Sequence, residues 1–282
     1  MNSKIENIFK NNHRVFFVAE AGVNHNGSIK IAKKLIDIAS ESGADAVKFQ
    51  TFKVEELLTK NAKSMKHQLR SNKKISQYEM LKKLELTEKQ HLILQNYSKK
   101  KKIIFFSTAF DNKSLFFLKK IKIPIFKVPS SELNNIPYLK ILGSFNKPII
   151  LSTGMSYEKE VKEAIDVLQK NGTSKNKIIL LHCTSQYPSS FNDLNLNVIK
   201  TLKKSFNCRV GYSDHSHGFL APIASVALGS KVVEKHFTIS RKMKGPDHIS
   251  SLEPKELRYV IRLIRDLEIS LGNNKKKPTK NI

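Results

Sequence analysis

The 282-residue sequence holds 50 Lys and Arg against 24 Asp and Glu, a formal charge of +26, with 40% apolar residues and two cysteines. No apolar run approaches the roughly 20 residues that span a bilayer, and the first fourteen residues lack an apolar signal core, which excludes a membrane span and argues against secretion. Cys183 and Cys208 stand apart without CxxC spacing, so they read as small buried residues in a reducing, cytoplasmic setting, not as a disulfide framework.

The lysines are spread along the whole chain with few aromatics among them. That distribution reads as a compositional bias whose field favours small anions, and it disfavours a nucleic-acid surface. Residues 1–14 read as a small cap. Short apolar runs of strand length follow at 15–20, 46–51, 103–108, 125–128, 148–152, 177–183, 208–212 and 231–237. Helical patterns alternate with them at 29–42, 88–100, 112–120, 135–145, 157–170, 194–204, 220–228 and 254–271. The stretch 52–86 is too long for an ordinary strand-to-helix loop and reads as a partly helical flap over one end of the sheet. Residues 273–282, with KKKPTK, form a linker-like basic tail, so the expected domain is 1–272.

Strands alternating with helices imply an α/β protein with parallel strands and right-handed crossovers. Eight units predict a closed (β/α)8 TIM barrel; an open doubly wound sheet also fits the alternation, but no GxGxxG follows the first strand.

Within the strands, alternate residues face the lumen. One parity carries Glu20, then Lys48 and Gln50, then Lys127, then His182 with Thr184, then Glu234 with His236, each flanked by apolar residues of the other parity. Lys235 is the exception on the outward face of the eighth strand. A purely structural lumen would hold Val, Ile and Leu there, and these polar groups sit at the strands' C-terminal ends, where barrel enzymes keep their active sites. His215, just past the seventh strand, and His236, at the end of the eighth, are placed to share one divalent ion, with the remaining coordination positions left open. His182, His217 and His248 read as core or surface residues or as hydrogen-bonding partners, and His13, His67 and His91 as surface residues. Hydroxyls close strands three to seven: Ser107-Thr108, Ser130-Ser131, Ser152-Thr153-Gly154, Thr184-Ser185 and Ser213. With Lys48 and Lys127 they make a ring of donors for a phosphate or carboxylate.

Nine collinear motifs then carry a resemblance: AEAGVNHNGS (19–28), ADAVKFQT (44–51), STAFD (107–111), FKVPSSE (126–132), KPIILSTGM (147–155), LHCTSQYP (181–188), GYSDH (211–215), EKHFT (234–238) and GPDH (245–248). The chain resembles the sialic acid synthase family, the N-acetylneuraminate, legionaminate and pseudaminate synthases, over residues 16–271. The resemblance implies a (β/α)8 barrel, usually a homodimer, that condenses phosphoenolpyruvate with an N-acetylated, mannosamine-type aldose to give a nonulosonic acid and phosphate. It implies a divalent metal, Mn2+ or Mg2+, on His215 and His236. It places phosphoenolpyruvate contacts on Lys48, Thr108, Lys127, Ser130, Ser152, Ser185 and Ser213, and acceptor-sugar contacts on Glu20, Gln50, Tyr187 and Asp247. Glu20, Glu234 and His236 are the expected catalytic groups, with the choice of general base open between the two carboxylates.

The chain departs from the family pattern in three places. Ser185 stands where N-acetylneuraminate synthases often carry Asn. Pro129 and Ser131 stand where glycines are common, and a Pro before the Ser resembles the legionaminate branch. The small antifreeze-like domain that normally follows the barrel is expected to be absent, or supplied by a separate chain. The competing expectations are a Schiff-base aldolase using Lys48, Lys127 or Lys235, a related sugar-phosphate 3-deoxy-acid synthase, and a non-catalytic or partner-dependent barrel remnant.

Overall fold

The computed structural model describes residues 5, 8, 14–60, 62, 76–273 and 275–278. Its eight strands are β1 (Phe16–Gly22), β2 (Ala46–Thr51), β3 (Ile104–Ala109), β4 (Phe126–Val128), β5 (Ile149–Ser152), β6 (Ile178–Cys183), β7 (Arg209–Asp214) and β8 (Val232–His236). Each pairs in parallel with the next, and β1 closes on β8 through Phe16↔Val232 to Glu20↔His236. The expected barrel is therefore present, with strand ends within two residues of those read from the sequence. The helices of the outer ring are α1 (Ile29–Glu41), α4 (Glu88–Lys100), α5 (Asn112–Lys120), α6 (Ile136–Ser144), α7 (Glu158–Lys170), α8 (Val198–Phe206), α9 (Leu220–Ala227) and α10 (Pro254–Ser270). Two further helices, α2 (Val54–Leu57) and α3 (Gln77–Leu84), lie between β2 and α4.

Local chemistry starts these helices where the strands end. Ser28 accepts from the Ile31 amide at the start of α1, Thr87 and Gln90 form a reciprocal capping box at α4, and Asp111 accepts from the Ser114 amide at α5. At α10 the box is Glu253 with Glu256, followed by a helix-initiating Pro254. That last helix also fastens the barrel's floor: Arg265 donates to Asp45 at 2.8 Å and to the Val15 carbonyl at 2.7 Å, while Glu268 accepts from the Val15 amide.

Alternation along the strands divides the interior into two kinds of core. Facing the helices are Phe17, Val47, Phe49, Phe105, Leu151, Leu180, Tyr212 and Val233, packed in two outer clusters. Inside the barrel, Phe16, Val18, Ala46, Ile104, Phe106, Ile150, Ile179, Leu181 and Val232 form an apolar floor, joined from below by Ile5 and Ile8. The floor seals one end, so the polar lumen residues occupy only the C-terminal half.

The insertion behaves as expected where it is described. Val54 and Leu84 pack with Val23 and Phe52, beside Phe110, all just past the C-terminal ends of β1 to β3. Gly27 lets that packing close, because a Cβ there would stand 2.3 Å from the Lys83 carbonyl. Residues 61 and 63–75 lie outside the described residues, as do His13 and His67.

Candidate active site

Above the floor, four charged side chains from β1, β2, β4 and β8 meet in the lumen. Lys48 is the hub: its ammonium lies 2.8 Å from Glu20 Oε1, donates to Thr108 Oγ1 at 2.9 Å, and lies 3.7 Å from Glu234 Oε2. Lys127 donates to Ser152 Oγ at 2.7 Å and lies 3.9 Å from Glu234 Oε1. Ser213 donates to the same Glu234 oxygen at 3.0 Å. All four charged groups are buried, so desolvation penalises each charge and the outcome depends on neighbours. Burial lifts Glu20 to about 7 against the pull of Lys48. For Glu234 burial also pushes upward, but Lys127, Lys48 and the Ser213 hydroxyl outweigh it and hold it below the usual range. Burial works to lower Lys48, yet Glu20 and Glu234 carry it above its ordinary value; Lys127, less well compensated, falls below.

Beside this quartet is a cradle of small polar side chains around Gly154. Ser130 Oγ accepts from the Gly154 amide at 3.1 Å and contacts Cys183 Sγ at 3.2 Å. A Cβ on Gly154 would meet Ser185 Oγ at 2.5 Å, Ser130 Oγ at 2.9 Å and Cys183 Sγ at 3.0 Å. Three polar side chains thus converge on one glycine, whose missing Cβ leaves room for their close approach. Thr108, Ser130, Ser152, Ser185 and Ser213 lie in this ring. Their neighbours do not: Ser107 bonds Thr51 on the outer face, Ser131 is exposed, Thr153 bonds the Leu181 carbonyl, and Thr184 bonds the Asp193 carbonyl.

On the other side of Glu234 stand the two histidines. Their ring centroids are 5.7 Å apart, and Tyr187 packs 4.0 Å from the ring of His215 and 5.9 Å from that of His236. His215 Nδ1 donates to the Thr184 carbonyl at 2.7 Å, which leaves its Nε2 with a free lone pair. His236 Nδ1 is buried with no hydrogen-bond partner among the described residues. Burial lowers His215 to about 4 and His236 well below its ordinary value, so both rings are neutral. Two neutral imidazoles binding one ion at about 2.1 Å have centroids within roughly 6.5 Å of each other. The pair fits a divalent ion. Among the described residues no group of three His, Cys, Asp or Glu is arranged to hold a metal. Asp247, lifted by burial to about 6, reaches the same corner: a Cβ on Gly22 would lie 3.2 Å from His236 Cε1 and 3.5 Å from Asp247 Oδ2. Gln50 lies on the Lys48 face of β2, opposite Thr108 in register.

Several sequence expectations are corrected. His182 points outward, not into the lumen; its Nε2 bonds the Leu194 carbonyl at 2.6 Å and its ring packs against Tyr212, while Leu181 and Cys183 take the inner face. His91 is buried and bridges Thr51 Oγ1 and the Thr87 carbonyl, so it is no surface residue. Lys235 lies outside the lumen against Asp214, which removes it as a Schiff-base nucleophile. Cys183 is buried, as read from the sequence, and its Sγ lies against Ser130 Oγ. The signal for that inward position was the parity of Ile179 and Leu181 in the same strand.

A closed parallel barrel whose floor is apolar and whose C-terminal mouth gathers two lysines, two glutamates, a hydroxyl cradle and a histidine pair defines an enzyme of the (β/α)8 class that handles an anionic substrate. Residues 35–276 match the NeuB family model, and the chain belongs to that family. It is 48% identical to the N,N'-diacetyllegionaminic acid synthase of Campylobacter jejuni over 95% of this chain and 80% of that protein. It is 35% identical to human N-acetylneuraminate-9-phosphate synthase over 96% of this chain and 74% of that one. Among solved structures, an N-acetylneuraminic acid synthetase from Leptospira borgpetersenii, in complex with citrate, superposes with a TM-score of 0.84 at 36% identity, over 95% of this chain and 88% of that one. A truncated 3-deoxy-D-arabino-heptulosonate 7-phosphate synthase from Thermotoga maritima shares the fold alone, at 17% identity and a TM-score of 0.71.

Proposed function

We propose that this barrel condenses phosphoenolpyruvate with a 2,4-diacetamido-trideoxy hexose of the mannose series to form a legionaminate-type nonulosonic acid and phosphate. The observation that carries the reading is the Lys48–Glu234–Lys127 array set beside the Gly154 cradle, next to a neutral histidine pair. One half suits a phosphorylated carboxylic acid, the other a carbonyl acceptor. The legionaminate branch is supported by two relatives named N,N'-diacetyllegionaminic acid synthase at 48% and 45% identity, against 34–35% for those named pseudaminic acid or N-acetylneuraminate-9-phosphate synthase.

In this reading His215 and His236 hold a divalent ion, Mn2+ or Mg2+, which when bound supplies Lewis-acid polarisation of the acceptor aldehyde. Lys127, Ser152 and the Ser130–Ser185–Gly154 cradle hold the phosphate and carboxylate, fixing the enol C3 toward the aldehyde carbon. Tyr187, Gln50 and Asp247 line the acceptor side. The enol pair forms the C3–C1 bond, positive charge develops at C2, and water adds there with loss of a proton. The tetrahedral intermediate then expels phosphate by C–O cleavage, leaving the ketone. Glu234, held as carboxylate by both lysines, stabilises the positive charge. Glu20, poised near neutrality, is the group suited to exchange the proton with water or the acceptor oxygen.

Incubating the protein with phosphoenolpyruvate and Mn2+, and offering N-acetylmannosamine or its 2,4-diacetamido-trideoxy counterpart in turn, tests the substrate. The expected result is phosphate release with the diacetamido sugar at least about tenfold above that with N-acetylmannosamine. Preference for a sugar phosphorylated at its far end would overturn the assignment in favour of a sugar-phosphate synthase.

A further inference from the structure

We propose that the buried ion pair between Asp214 and Lys235, on the outward face of β7 and β8, is a positioning device that sets the two metal-binding histidines relative to one another. The inference rests on the metal reading above and deepens it.

Asp214 immediately precedes His215, Lys235 immediately precedes His236, and the two stand opposite each other in the strand register. The pair therefore joins the residue before one ligand to the residue before the other. Its surroundings are the helix-facing layer, where Val233 and Phe237 occupy the same side of the strand, and both charged side chains are 0% exposed. The Lys235 ammonium donates to Asp214 Oδ2 and to the Ser216 carbonyl, each at 2.5 Å. Asp214 Oδ1 accepts from Tyr212 Oη at 3.1 Å, the Ser216 amide at 3.0 Å and Ser216 Oγ at 2.8 Å. The residues on either side of His215 are thus both tied to Lys235, and the His215 carbonyl accepts from the Ser189 amide at 2.9 Å. The His215 backbone has no freedom to turn without breaking several of these bonds.

A charge pair is an expensive way to fill this layer. Desolvating both groups costs several kcal/mol, and well-packed apolar residues of similar volume are commonly as stable or more so. Apolar contacts, however, have no direction. Five directional bonds fix the angle at which two adjacent strand ends present their imidazoles, and a shared ion tolerates only about 0.5 Å of error in its ligands. None of the five touches the lumen, so the network acts on the site only through the two histidines.

The test is a Mn2+ titration of the 282-residue chain, read by the electron paramagnetic resonance signal of free Mn2+, together with thermal unfolding of the metal-free protein. Replacing both partners at once, Asp214→Leu with Lys235→Met, should lower the unfolding temperature, because Tyr212 Oη and the Ser216 amide, hydroxyl and carbonyl lose their partners, and in the folded protein should weaken Mn2+ binding about 10–100-fold. Unchanged Mn2+ affinity in a folded double variant would reduce the pair to a structural element and overturn the proposal. Should that variant not fold, Tyr212→Phe removes one bond to Asp214 while keeping shape; it should weaken Mn2+ binding about threefold with unchanged unfolding, and wild-type affinity there would be equally fatal. His236→Ala in the same titration separates the two levels. Lost binding there with wild-type binding in the double variant rejects only the positioning role, whereas retained binding in His236→Ala rejects the metal reading and the proposal with it.

Discussion

Glu20 and Glu234 share one hub, Lys48, yet end with opposite protonation tendencies, because Glu234 alone has a second ammonium and a serine hydroxyl to hold its charge. The same contrast between paired and unpaired atoms marks the histidines, where His215 Nδ1 is tied to the Thr184 carbonyl and His236 Nδ1 has no hydrogen-bond partner among the described residues. His236→Ala should abolish turnover by about 10²–10³-fold or more, the value of several kcal/mol of carbonyl polarisation; steady-state rates at saturating Mn2+ measure it. Gly154→Ala should fold normally but raise the phosphoenolpyruvate KM about tenfold, since its methyl would occupy the space onto which Ser130, Ser185 and Cys183 converge. His248 gives a pH prediction. Its Nδ1 faces Thr238 Oγ1 at 2.6 Å and its Nε2 faces Asn26 at 3.2 Å, and burial lowers it from 6.5 to about 4. A histidine with a depressed folded pKa adds stability above its unfolded value that is lost as pH falls toward the folded one. The stability advantage of wild type over His248→Gln should therefore be full above about pH 7 and shrink by on the order of 1–2 kcal/mol between pH 6.5 and 4, as urea unfolding at several pH values would show.

At the scale of elements, the strands and helices were legible because period-two and 3.6-residue patterns agree with their flanking caps. Parity also placed Glu20, Lys48, Lys127, Glu234 and His236 in the lumen correctly. It failed at β6, where the polar residue was assumed to face the site; His182 faces outward because the Leu194 carbonyl offers it a partner in the helix layer. His91 misled for the same reason: partners supplied by Thr51 and Thr87 make a buried histidine affordable, and neither is adjacent in sequence. The Asp214–Lys235 network was illegible because its meaning depends on the strand register. One element carries a sharp steric constraint. A Cβ on Gly211 in β7 would stand 2.4 Å from the Val232 carbonyl and 2.6 Å from Leu181 Cδ2. Gly211→Ala should cost about 3 kcal/mol, lowering the unfolding temperature by roughly 6–12 °C in differential scanning calorimetry.

For the whole molecule, the apolar floor and the polar mouth divide one barrel into a part that folds and a part that reacts. The +26 charge acts over both. Among the described residues no helix is long and apolar enough to cross a membrane, and the basic field is available to draw anions toward the mouth. At low substrate the rate should fall several-fold between 20 and 300 mM KCl, as the screening length shrinks from roughly 20 Å to below 6 Å, with kcat little changed. The most direct test of the central claim uses phosphoenolpyruvate labelled with ¹⁸O at the oxygen bridging C2 and phosphorus, turned over with the preferred acceptor, with and without EDTA. The account predicts that the label leaves entirely with phosphate, only when acceptor is present, and that EDTA stops it. Label retained in the sugar acid, or release that ignores both acceptor and chelator, would contradict it.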